Sequence, residues 1–204
     1  MTTRRTIAWT GVDEPGRLDA ASVTLRADAL TALGTSRAAD YVTAWSLDTG
    51  PGWVTRVLAV TVRGAGWSRS LRLDRDGSGA WSAVATADGA PPADLPAPGL
   101  ADPRAVAGAL DCDLGLCPLT NTMPILRHDL HRAPAGPPRA FVMAWVEVPS
   151  LRVLRSDQVY TPGGRAGDAA LIEYASAARD FTAQLTVDED GLVRDYEHLA
   201  RRLP

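Results

Sequence analysis

The chain has 204 residues, 46% of them hydrophobic and 22% charged, with a net charge of −3 and a pI near 5.6. This composition is that of an ordinary globular protein with room for a sizeable core, and arginines scattered singly leave no electrostatic footprint for a nucleic acid. No apolar run approaches the ~18 residues of a membrane span, the N-terminal arginines precede too few apolar positions for a signal peptide, and the expected location is the cytoplasm.

All 21 basic residues are arginine, which, with the excess of Ala, Gly and Pro, fits a GC-rich bacterial coding bias better than an arginine-specific function. Cys112 and Cys117 are too few for a disulfide framework and read as free thiols.

In chain order, Tyr41-Val-Thr-Ala-Trp45 reads as a strand. Val54–Arg63 is β-branched and apolar on both faces, as a central strand requires. Leu71–Gly77 ends in Asp-Arg-Asp-Gly, a hairpin turn in which Asp bonds local backbone and Gly tolerates positive φ. Residues 87–103, rich in Pro and Ala, form a surface connection. Asp102-Pro103 then offers an N-cap and a first-turn proline for about two turns of helix toward Leu110.

The densest stretch follows. Asp111–Arg127 holds two acids, both cysteines, two prolines and Asn121, the chain's only asparagine. Pro118 and Pro124 bias Cys117 and Met123 away from helix and make Leu119–Met123 an ordered loop. Beyond it, Ala133–Pro138 is a shorter connection, and Phe141-Val-Met-Ala-Trp145 echoes Tyr41–Trp45. Phe181–Asp188 alternates apolar with polar positions, the period of a strand with one wet face. Leu185–Gly191 echoes Leu71–Gly77, and Tyr196–Leu203 offers a last helical turn or two.

These patterns predict a mostly β protein with few short helices: two related, curved antiparallel sheets forming an incomplete barrel or β-roll, with an internal duplication. The whole chain, 1–204, is read as one domain, with halves at about 1–86 and 104–204 joined through 87–103.

Enzyme and metal motifs fail one by one. The Asp-x-Asp-Gly runs lack the glutamate of a calcium loop, whose position falls at Ala85 and Leu199. His128 and His131 would point to opposite faces of a strand, and the two cysteines have no second pair to complete a zinc site. No metal and no cofactor is expected. Asp111 and Asp113, two apart on a strand, lie at a workable carboxylate spacing of about 6.6 Å, but they approach a substrate from one side instead of flanking its scissile bond. As binding groups they fare better: Asp111 and Asp113 accept, Thr120, Asn121 and Thr122 donate and accept, and Trp45 and Trp145 supply flat apolar faces. The same residues can equally close the loop on itself.

The run Leu110–Leu114, Pro118-Leu-Thr-Asn-Thr-Met-Pro-Ile125, Gln158-Val-Tyr160, and Leu185–Val193 followed by Tyr196 resembles a bacterial family named for glycolipid binding and formerly a domain of unknown function. The resemblance runs from the Trp9 region to Leu199. It implies a β-rich fold similar to bacterial lipoprotein carriers, whose concave face accepts acyl chains, and it brings no catalytic residues. The resulting expectation is non-catalytic binding of a lipid or glycolipid in an apolar groove with a polar rim. The alternatives are a small hydrolase or isomerase using Asp111, Asp113 or His128, and a protein-interaction module.

Overall fold

The computed structural model describes residues 2–176 and 180–204. Seven strands, β1 (Thr3–Gly11), β2 (Leu18–Leu25), β3 (Leu30–Arg37), β4 (Tyr41–Thr49), β5 (Thr55–Gly64), β6 (Trp67–Arg75) and β7 (Trp81–Gly89), form an antiparallel meander. Period-two burial drives it: Ile7 and Trp9, Ala21 and Val23, Leu58 and Val60, and Leu71 and Leu73 turn inward while the residues between them face out.

The second half contributes β8 (Asp111–Leu114), α1 (Thr122–Arg127), β9 (Arg139–Val146), β10 (Val153–Ala166), β11 (Ala169–Ser176), β12 (Phe181–Val187), β13 (Val193–Tyr196) and β14 (Ala200–Arg202). The two expected sheets are joined into one. β1 pairs with β14 from Trp9↔Arg202 to Gly11↔Ala200, giving a single 14-stranded order that runs from β7 down to β1, then from β14 down to β8, without closing into a barrel. Among the described strands all pairings are antiparallel except β8–β9, which is parallel, and Gly99 and Arg152 form an isolated parallel bridge.

The first part of the second half fills the roll. Thr55 Oγ1 on β5 accepts the Cys112 N–H at 3.0 Å, which brings β8 across the interior, and Leu119, Met123, Ile125 and Leu130 are buried there. Residues 87–103 are more than a surface connection, because buried Arg69 holds them through the carbonyls of Leu95 (3.1 Å) and Pro96 while also donating to the Ser150 carbonyl (2.9 Å).

Three local expectations are corrected. The helix expected toward Leu110 is a 3-10 turn, Pro103–Val106, capped by Asp102 as expected; Val106 and Ala109 are drawn into the core and the Ala109 carbonyl accepts from Arg75 and Trp81 instead of continuing a helix. The C-terminal helical turns are strands β13 and β14 about a tight turn with His198 at φ 65°, since that backbone completes the sheet beside β1. The loop expected at Leu119–Met123 is a 3-10 turn, Pro118–Asn121, running into α1. Pro124 stands in the first turn of α1, where its missing N–H costs nothing, and burial of Met123 and Ile125 overrides the pre-proline bias.

The echoed segments land on β4 and β9, and both Asp-x-Asp-Gly runs are hairpin turns, after β6 and after β12. Their separation is two strands in the first half and three in the second, so the echoes do not share a single strand offset.

Candidate functional site

Parallel pairing of β8 with β9 places Asp113 opposite Trp145 and Asp111 opposite Met143. From there the two carboxylates part company. Asp111 is 1% exposed and is gripped by both terminal nitrogens of Arg127, one at 2.7 Å, while the Arg127 Nε donates to the Gly52 carbonyl at 2.7 Å. Burial pushes the Asp111 carboxyl up, and the Arg127 hydrogen bonds and charge pull it back. This pair ties α1 to β8 and to the turn at Pro51–Trp53.

Asp113 belongs to a polar chain through the interior. Its oxygens accept from Thr120 Oγ1 at 3.0 Å and from Gln158 Nε2 at 2.6 Å. Alternation along β10 puts Ser156, Gln158 and Tyr160 on one inward face. Gln158 Nε2 also donates to Ser156 Oγ at 3.2 Å, and the Tyr160 hydroxyl donates to Asn121 Oδ1 at 2.9 Å. Asn121 Nδ2 in turn donates to the Pro118 carbonyl at 3.2 Å, closing the turn. Burial holds the Tyr160 phenol far above its ordinary value, so it stays a donor.

Beside this chain opens a cleft of about 600 Å³, within the usual range for small-molecule sites. One wall is the turn after β8, where Gly115 packs tightly: a Cβ there would come 3.1 Å from the Val146 carbonyl oxygen. The other walls are aromatic, from Tyr41, Trp145, Tyr174, Phe181 and Tyr196. The last of these rings belong to an edge-to-face series running inward, with Tyr160–Tyr174 at 5.2 Å and Tyr174–Tyr196 at 5.7 Å between centroids. Asp113 and Asn121 reach the cleft, and Glu14 and Glu147 add carboxylates. Cys117 also borders it, but burial pushes its thiol up to about 12, which keeps it neutral.

Of the residues expected at a site, Asp113, Asn121 and Trp145 share this cleft. Thr120 supports it by holding Asp113. Asp111 lies in the Arg127 clasp, and Thr122 is buried with its hydroxyl unpartnered. Trp45 packs over Gly34, whose added Cβ would meet the ring at 2.3 Å, and borders a separate hollow of about 20 Å³. His128 stacks on Phe141 at 4.9 Å, at the C-terminal end of α1 and outside the cleft. Among the described residues, no three His, Cys, Asp or Glu side chains are grouped to hold a metal ion. Among the described residues, no helix is long and apolar enough to cross a membrane.

Sequence reading missed Tyr174, Phe181, Glu14 and Glu147 as cleft residues. The signal for Gln158 and Tyr160 was their spacing of two on one strand; nothing local marks the others, because the sheet's path alone assembles them.

Comparisons with known proteins agree with this fold. The profile of a family described as "Putative glycolipid-binding" matches residues 6–202. A crystal structure of a DUF1089 family protein from Pseudomonas aeruginosa is 29% identical, with a TM-score of 0.66 over 91% of this chain and 92% of that one. Comparison with curated proteins gives no match.

Proposed function

Starting from the glycolipid-binding family, to which this chain belongs, we propose that the protein binds a glycolipid or similar amphipathic molecule without chemically altering it, seating the polar head in the cleft. The carrying observation is that Asp113 and Asn121 line one opening together with the rings of Tyr41, Trp145, Phe181 and Tyr196. Aromatic faces take the apolar side of a sugar ring, while carboxylate and amide oxygens accept from its hydroxyls.

The roll's interior is already filled by α1, β8 and their side chains, so in this reading the cleft takes the head and the first methylenes. Each buried methylene contributes roughly 0.8 kcal/mol, and the few polar contacts orient the head. Hydrolysis is less well supported. Asp111 is locked to Arg127 and His128 stands outside the cleft, so neither of the groups expected to work with Asp113 can reach a substrate beside it.

The test is titration with a short-chain glycolipid, read by calorimetry and by native mass spectrometry for an intact adduct. Binding that is lost in Trp145→Ala and Asp113→Ala supports the reading. Binding untouched by both variants, or a cleaved product, would overturn it.

A further inference from the structure

Arg69 is a buried cation that does not line the cleft. It stands on the inward face of β6, 4% exposed, and among the described residues no carboxylate is paired with it. Backbone carbonyls receive its donors: Nη1 bonds Pro96 and, at 2.9 Å, Ser150, while Nη2 bonds Leu95 at 3.1 Å. Burying an ion costs far more than burying an apolar chain of the same shape. What Arg69 contributes therefore lies in the segments that its hydrogen bonds join.

Ser150 closes the turn between β9 and β10, and Glu147, Val148 and Pro149 of that turn form a wall of the cleft. The turn is bonded closely to itself. Ser150 Oγ donates to one Glu147 carboxylate oxygen at 2.5 Å, and Arg152 meets the other at 3.3 Å. The Arg152 N–H donates to Ser150 Oγ at 3.1 Å and the Leu151 N–H to the Glu147 carbonyl at 2.8 Å. Such a turn shifts as one piece. Beyond β9 and β10 themselves, the hydrogen bonds that join it to the body among the described residues are those from Arg69 to the Ser150 carbonyl and from the Gly99 N–H to the Leu151 carbonyl, both 2.9 Å. Gly99 lies just past Pro96, in the connection that Arg69 also holds. Both anchors thus run back to one guanidinium.

We propose that Arg69 is a positioning residue for the cleft: through Ser150 and the stretch from Leu95 to Gly99 it fixes the Glu147–Pro149 wall against which the ligand is bound, without touching the ligand. This inference rests on the glycolipid reading above. A wall ordered in advance adds nothing to the cost of binding, whereas a loosened wall must be ordered when the ligand arrives. The connection between the halves, a surface segment by composition, then takes part in binding.

Two variants of the full chain test this: Arg69→Met, and the milder Arg69→Lys, which keeps the charge but replaces the planar fork by a single ammonium. Without ligand, hydrogen exchange of both should quicken at residues 95–99 and 147–151 and stay as in the wild type in β4 and β12. Calorimetric titration with octyl β-D-glucoside, well below each melting temperature, should give a dissociation constant at least about tenfold higher in Arg69→Met and an intermediate one in Arg69→Lys. A purely structural loss would leave affinity untouched there, because nearly every molecule is folded. An unchanged dissociation constant overturns the proposal and leaves the glycolipid reading intact. Exchange that quickens across the whole sheet, or nowhere, overturns it too. If Arg69→Met does not fold, Arg69→Lys decides on the same two measurements. Octyl glucoside that fails to bind the wild-type chain sinks both readings together.

Discussion

Asp111 and Asp113 stand two residues apart on β8, yet one is sealed into the clasp of Arg127 while the other borders an aromatic cleft. In the clasp a buried carboxylate meets a bidentate guanidinium that also holds two backbone carbonyls from the Pro51–Trp53 turn. There the geometry is complete without any ligand. At the cleft, the polar groups are held by neighbours but still face an opening. The comparison teaches that acidity and spacing do not distinguish a structural carboxylate from a binding one; the difference lies in what the surrounding chain closes over it.

The clasp should therefore carry the largest stability effect. Arg127→Met leaves Asp111 buried and unpaired, and denaturant unfolding should lose ~3–5 kcal/mol, as when one partner of a buried pair is removed. Adding Asp111→Leu should recover part of that loss, because the orphaned charge goes with it. A small effect of Arg127→Met would place the Asp111 carboxylate in contact with water and dissolve the contrast.

Asn121 borders the cleft while bonding the scaffold, so Asn121→Ala should cost ~1–3 kcal/mol even without ligand, through the loss of its two buried hydrogen bonds, from the Tyr160 hydroxyl and to the Pro118 carbonyl. If apo stability is kept while glycolipid affinity falls, Asn121 belongs to the binding surface rather than to the scaffold. Asp113→Ala should cost about 1 kcal/mol, since Thr120 retains the Cys117 carbonyl and Gln158 retains Ser156, with its main effect on binding.

The smallest expected effect is pH-dependent and sits beyond the C-terminal end of α1. Burial, followed by the Arg132 charge, lowers the pKa of His131. A folded-state pKa below the unfolded one means that unfolding takes up protons, so stability is present above the unfolded value of about 6.5 and is lost as pH falls through the folded one. Melting followed from pH 7.5 to 5 should slope downward, and His131→Leu should flatten that slope. An unchanged slope would assign the acid sensitivity to other groups.

The sequence by itself carried much of this. Alternation in Phe181–Asp188 and the β-branched run of Val54–Arg63 marked β12 and β5 because a half-buried strand leaves a period that needs no distant information. Asp-x-Asp-Gly marked both hairpin turns for the same reason: Asp76 and Asp188 bond backbone N–H groups within four residues. Asp102 likewise capped the turn it preceded. The Asp111–Pro124 segment also declared its importance through density alone. Its conformation could not be read, because burial of Met123 and Ile125 outweighed the local preference of the residue before proline. The fate of its two aspartates depended on partners 16 and 45 residues away, Arg127 and Gln158. The cleft's aromatic walls come from β4, β9, β11, β12 and β13, brought together only when β1 pairs with β14 and one sheet rolls around β8 and α1. Local alternation can specify each strand, but contacts across such sequence distances are chosen by the closure of the whole sheet.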